Sequence, residues 1–173
     1  MIGVFGRLDL LIAEFSKIEQ LASKRYEFQL QEVIFTNVLE QAIDLLMLDD
    51  HKRNECVKVE GDFDFNVHVD FELMALAIKN LMDNALKHSL TKVVYVSAHH
   101  GKVSVCNEGE PLKMCIDEYF QPFVSGSKAC GSGLGLGLYI VKNIVEQHGF
   151  SVEYTYGEGR HCFSIDFSKG VIQ

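Results

Sequence analysis

No stretch of this chain approaches the run of about 20 apolar residues that crosses a bilayer as a helix. The first dozen residues are interrupted by Arg7 and Asp9 and do not read as a secretory signal. The expectation is therefore a soluble, cytoplasmic segment that makes no membrane contact of its own, with any inner-membrane anchor of a parent chain lying outside it. Basic charge is also scarce: 16 Lys and Arg stand against 24 Asp and Glu, a net charge of -8. That balance disfavours a nucleic-acid partner, because a phosphate-backbone binder needs a basic face to displace counterions. The five cysteines include no C-x-x-C pair and meet no histidine at zinc-ligand spacing, so they read as free packing thiols of a reducing compartment. Long polar tracts and internal repeats are missing as well, which excludes disorder and solenoids.

What remains is 173 residues, 47% hydrophobic and 23% charged, enough for one domain with a real core and a short appendage. Apolar residues recur at helical spacing from Leu8 to Leu21 (Leu8, Leu11, Ile12, Phe15, Ile18, Leu21), so this amphipathic helix needs a partner surface. A strand over Tyr26–Ile34 leads to Thr36 or Asn37 as the N-cap of a helix through Leu48, after which Lys52–Asn54 breaks the pattern. Val57–Val59 and Asn66–Val69 look like a strand pair around Gly61-Asp62, and Asp70 caps a helix over Phe71–His88. A hairpin follows, Val93–Ala98 and Val103–Cys106 about His99-His100-Gly101. A short helix, Ile116–Phe120, precedes a glycine-rich stretch that opens a helix ending near Gly149. Strands Ser151–Tyr156 and His161–Phe167 then meet at a Gly157–Gly159 turn. Mixed helices and hairpin-type connections predict a two-layer α/β (α+β) sandwich on a largely antiparallel sheet.

Two segments carry chemistry. In the helix Phe71–His88 the face that bears Leu73, Leu76 and Ala77 continues as Asn80, Asn84, Lys87 and His88. Amide oxygens are hard neutral ligands suited to Mg²⁺, and Lys87 can stand as a point charge against a phosphate. Taken alone, the same residues equally fit a helix end emerging into solvent. The second segment places Gly126, Gly131, Gly133, Gly135 and Gly137 within twelve residues, with Lys128 and Ser132 among them and Leu134, Leu136 and Leu138 interleaved. Glycines let backbone N–H groups approach phosphate oxygens, and the start of the following helix offers its positive dipole end. A flexible linker is disfavoured because an apolar helix begins without a gap. Neither common phosphate pattern fits: Gly126–Ser132 lacks the lysine of a P-loop, and no G-x-G-x-x-G follows a strand.

Asn80-Leu-Met-Asp-Asn84-Ala-Leu-Lys87-His88-Ser resembles the N box of histidine kinases, and Gly133-Leu-Gly135-Leu-Gly137-Leu-Tyr-Ile-Val-Lys142 resembles their second glycine box. Tyr119-Phe120-Gln-Pro-Phe123 is similar to the F box, and Asn107-Glu-Gly109-Glu-Pro111-Leu112 occupies the first glycine box. The resemblance implies a Bergerat-type ATP-binding catalytic domain over residues 26–173. It also implies that residues 1–25 are the end of a dimerisation-hairpin helix. ATP and Mg²⁺ are the implied cofactors, and a histidine on the dimerisation domain of a homodimeric parent is the implied phosphoacceptor, with a response regulator downstream.

By position the family assigns Asn84 to Mg²⁺, Asn80 to its support as a catalytic residue with Lys87, and Lys87 and His88 to the phosphate and ribose region. Asn107 is assigned to the adenine, with Gly109 allowing close approach and Leu112 beside it. Phe120 and Phe123 would anchor a lid formed by Lys128, Gly131, Gly133, Leu134, Gly135, Leu136 and Gly137. The usual first glycine box reads D-x-G-x-G, so Asn107 and Pro111 are departures that remove the charge assistance of a carboxylate. No His-Glu-x-x-Thr-Pro-like phosphoacceptor box occurs in the chain. Hydrolytic relatives of the superfamily carry a glutamate four residues before the metal-binding asparagine. Here that position is Asn80, and an amide cannot take a proton from water, which favours transfer to an external acceptor. A nucleotide-binding module acting only as a conformational or interaction switch is the alternative.

Overall fold

A computed structural model describes residues 27–124 and 135–168, together with Ile12, Ser16, Glu19 and Gln20, which are helical. The rest of the Leu8–Leu21 helix, and with it the boundary expected near residue 25, lies outside the described residues. The described chain runs β1 (Leu30–Ile34), α1 (Phe35–Asp44), α2 (Asp50–Cys56), β2 (Val57–Gly61), β3 (Asn66–Asp70) and α3 (Phe71–His88). It continues through β4 (Val94–His99), β5 (Lys102–Glu108), α4 (Ile116–Tyr119), α5 (Gly137–Gln147), β6 (Val152–Gly157) and β7 (Arg160–Asp166). Five strands form one sheet in the order β2-β4-β5-β7-β6, antiparallel except for β2 on β4, while β1 and β3 form a separate antiparallel pair. Mixed α/β architecture on a largely antiparallel sheet is what the sequence pattern predicts. Among the described residues no helix is long and apolar enough to cross a membrane.

Alternation decides which face of the sheet is buried. Val94, Val96 and Ala98 of β4, Val103, Val105 and Asn107 of β5, and His161, Phe163 and Ile165 of β7 point inward. α3 lies against β4 and β5 and beside α5, filling that interface with Leu73, Met74, Ile78, Leu81 and Met82, all nearly or fully buried. Each such side chain contributes roughly 1.5–3 kcal/mol by leaving water. Asp70 begins α3 as expected: its Oδ1 accepts from Leu73 N–H at 3.1 Å and its Oδ2 accepts from Gln29 N–H at 3.0 Å. Both hairpins turn through two residues at positive φ, His100-Gly101 and Glu158-Gly159, the type I′ geometry that matches strand twist.

Four expectations are corrected. Helix α1 begins at Phe35, before Thr36, and has no side-chain cap; the N–H groups of Phe35 and Thr36 donate instead to Phe65 O at 2.9 Å and Phe63 O at 3.1 Å. β2 and β3 are not partners, because after Gly61 the chain leaves the sheet so that Phe63 and Phe65 can stack on Phe35. Residues 50–56 form a helix capped by Asp49, whose side chain accepts from Lys52 N–H at 2.9 Å. No residue of that helix is buried, so it carries no apolar period to read. Finally, Cys106 and Cys162 are not free thiols. They are direct cross-strand partners of β5 and β7, with Cα atoms 4.2 Å apart, and form a disulfide on the outer face of the sheet.

Candidate functional site

The polar end of α3 is set by the same periodicity that buries its beginning. Asn80 is 7% exposed, Asn84 is half-buried, and Lys87 and His88 emerge at the last turn. Ser89 closes the helix, and Leu90 N–H donates to Glu108 O at 3.0 Å, tying the end of α3 to the end of β5. Asp83, the carboxylate on this turn, is engaged by Lys87 Nζ at 2.7 Å and Lys79 Nζ at 3.9 Å. Partial desolvation holds the His88 imidazole below its ordinary pKa, with Lys87, His161 and Lys92 acting in the same direction and Asp83 opposing them. Among the described residues no three His, Cys, Asp or Glu side chains converge as a metal site. With the Asp83 carboxylate paired to lysines, the neutral amides of Asn80 and Asn84 are the oxygen donors left on this helix end, a set that fits Mg²⁺ completed by phosphates and water.

Across from α3, Asn107 is 3% exposed and donates from Nδ2 to Glu108 O at 3.2 Å, so its Oδ1 is the end left to accept. Its cross-strand partner is His161, whose own partner on β6 is Tyr156; the three form a row over β5, β7 and β6. Gly109 is obligatory here, because a Cβ would come within 2.8 Å of the His161 ring. Leu112 follows, half-buried. Burial, then Tyr156 and Tyr119, raises the Tyr154 pKa, so its hydroxyl stays protonated. Sequence reasoning passed over Tyr154, Tyr156 and His161. Their signal was the i, i+2 aromatic spacing of β6 facing a histidine just past a tight turn.

The third segment is the start of α5. Leu136 is buried at its N-cap without side-chain capping, and its first turn holds no acidic residue. A Cβ on Gly137 would meet nothing within 4 Å among the described residues. Just before it, Phe123 N–H donates to Gly135 O at 3.2 Å, and a Cβ on Gly135 would collide with the Val124 carbonyl. Phe120 is buried edge-on against Phe163 with Lys142 above its ring, whereas Phe123 is 63% exposed at φ 65 and does not anchor the core. Lys128, Gly131, Gly133 and Leu134 lie outside the described residues.

The polar end of α3 is tied to the end of β5 through the Leu90–Glu108 bond, and α5 packs beside α3. The family model for histidine kinase-, DNA gyrase B- and HSP90-like ATPases matches residues 69–169. The chain belongs to that family. It is 36% identical over 164 residues to the sensor histidine kinase ArsS of Helicobacter pylori, spanning 94% of this chain and 38% of that one. It is 26% identical to the sensor histidine kinase WalK of Bacillus subtilis, over 89% of this chain and 27% of the relative. The chain thus spans well under half the length of these relatives. Among solved structures, the histidine kinase AdeS of Acinetobacter baumannii superposes with a TM-score of 0.72 at 19% identity, covering 93% of this chain and 78% of that one. Full-length ShkA, solved with AMPPNP, gives 0.63 at 21% identity over 92% of this chain and 36% of its own. These likenesses agree with the fold derived above.

Proposed function

We propose that residues 26–173 are the ATP-binding catalytic domain of a sensor histidine kinase and residues 1–25 the end of a dimerisation-hairpin helix. The reaction is transfer of the ATP γ-phosphoryl group to a histidine of the dimerisation domain in a homodimeric parent, with a response regulator as the next acceptor. The observation that carries this reading is the polar end of α3: Asn80 is buried where it can support Asn84, and Lys87 is one turn further on. Mg²⁺, when bound, would neutralise phosphate charge and orient the β- and γ-phosphates.

The chain's own residues do the rest. Asn84 offers an amide oxygen to the metal, and Lys87 exchanges its pair with Asp83 for a phosphate oxygen. The uncapped turn at Gly137 donates N–H groups to the polyphosphate, and Asn107 Oδ1 accepts from the adenine amino group. With an amide at position 80, the place where hydrolytic relatives carry a glutamate offers no general base to activate water. The γ-phosphoryl therefore waits for an imidazole nitrogen, which forms the N–P bond as the bond to ADP breaks.

Calorimetric titration tests the assignment. Asn84→Ala should weaken Mg-ATP binding by about tenfold or more while leaving Mg²⁺-free ATP binding little changed, since it removes one oxygen ligand. Equal Mg-ATP affinity in both proteins would refute it.

A further inference from the structure

The turn after β5 is held at successive groups by the β6–β7 hairpin. Gly109 N–H donates to Gly159 O at 2.9 Å, and Tyr156 Oη donates to Gly109 O at 3.2 Å. His161 Nε2 lies 2.8 Å from Glu110 O, and His161 Nδ1 lies 2.8 Å from Tyr154 Oη. Chemistry fixes the tautomer. A peptide carbonyl only accepts, so Nε2 carries the proton, and Nδ1 accepts from the Tyr154 hydroxyl. The imidazole is 6% exposed, with Tyr156 tilted over it at 4.8 Å between centroids.

We propose that His161 is a positioning residue of the nucleotide site, setting the Gly109–Pro111 turn so that the Asn107 amide meets the adenine. The inference rests on the nucleotide-binding reading above. Two features make this one bond consequential. Pro111 has a fixed φ and restricts Glu110 before it, so an orientation imposed at the Glu110 carbonyl passes rigidly along the turn. Glu110 is also exposed, so its carbonyl rehydrates if His161 is lost. The fold then loses little, and the cost falls on where the turn sits relative to the base.

The test uses the 173-residue chain with His161→Leu, His161→Gln and Tyr154→Phe, titrated with Mg-ATP and, separately, with Mg-tripolyphosphate, which has no base. His161→Leu should weaken ATP about tenfold, the worth of one hydrogen bond that orients the site, and leave tripolyphosphate unchanged. His161→Gln keeps a side-chain N–H within reach of Glu110 O and should stay within about threefold of the parent for ATP. Tyr154→Phe frees Nδ1 and should fall between the two. Three results would overturn the inference: His161→Leu binding ATP like the parent, an equal loss for ATP and tripolyphosphate, or Gln as weak as Leu. Should His161→Leu not fold, the Gln and Tyr154→Phe variants decide by the same base-dependent comparison. Failure of the unaltered chain to bind either ligand would overturn the nucleotide reading itself, and this inference with it.

Discussion

Asn107 shows how a single atom type divides stability from binding. Its Nδ2 is committed to Glu108 O, and in the proposed nucleotide site its Oδ1 is the group that accepts from a base. Asn107→Asp would remove that donor and place a buried carboxylate against a carbonyl, lowering the stability of the empty protein by about 1–3 kcal/mol. The same charge would strengthen the bond from an adenine amino group, so ATP affinity should rise about fivefold. Urea unfolding and calorimetry on the one variant should therefore move in opposite senses. The residues at this scale were unevenly legible. Asn80, Asn84, Lys87 and Gly109 stand out in the sequence because amides and glycines are unusual where apolar side chains belong. His161 and Tyr154 did not, since an aromatic and a histidine on an inward strand face are ordinary core residues until their hydrogen bonds are seen.

Elements with a strong period and chemical punctuation were read to within a residue or two. α3 is one, bounded by the Asp70 cap and Ser89, and the two type I′ hairpins are others. Where the determinants are tertiary, reading failed. α2 is polar on every side, and the parting of β2 from β3 is driven by Phe63 and Phe65 seeking Phe35. The cap of α3 can be tested directly. Asp70 accepts from Leu73 N–H, starting the helix, and from Gln29 N–H, holding the incoming segment. Asp70→Ala should cost about 2 kcal/mol of unfolding free energy, with the urea slope unchanged.

For the molecule as a whole, acidity acts through a joint between three parts of the chain. His148 Nδ1–H donates to Ile144 O at 2.7 Å, its Nε2 accepts from Asp70 N–H at 3.0 Å, and Phe28 sits edge-on to the ring at 5.1 Å. Burial lowers its pKa, outweighing the Ile144 bond and the Asp70 charge that raise it. A histidine with a depressed folded pKa is protonated first in the unfolded chain. Its contribution is therefore present above about 6.5 and lost as pH falls toward the folded value. His88, also depressed, acts in the same sense. Urea midpoints should fall between pH 7.5 and pH 5.5, and His148→Gln should flatten that fall; an unchanged slope would discount the joint.

The disulfide between the central strands has a bearing on the chain as a covalent object. Cys106 and Cys162 lie 56 residues apart, and between them run the turn after β5, α4, α5 and β6. Asn107 and His161 are the first residues inside that ring, while α3 stays outside it. A backbone cut anywhere from residue 107 to residue 161 would thus open a circle and sever nothing: the two ends of the proposed adenine side would remain one molecule, registered on each other, until a reductant arrived.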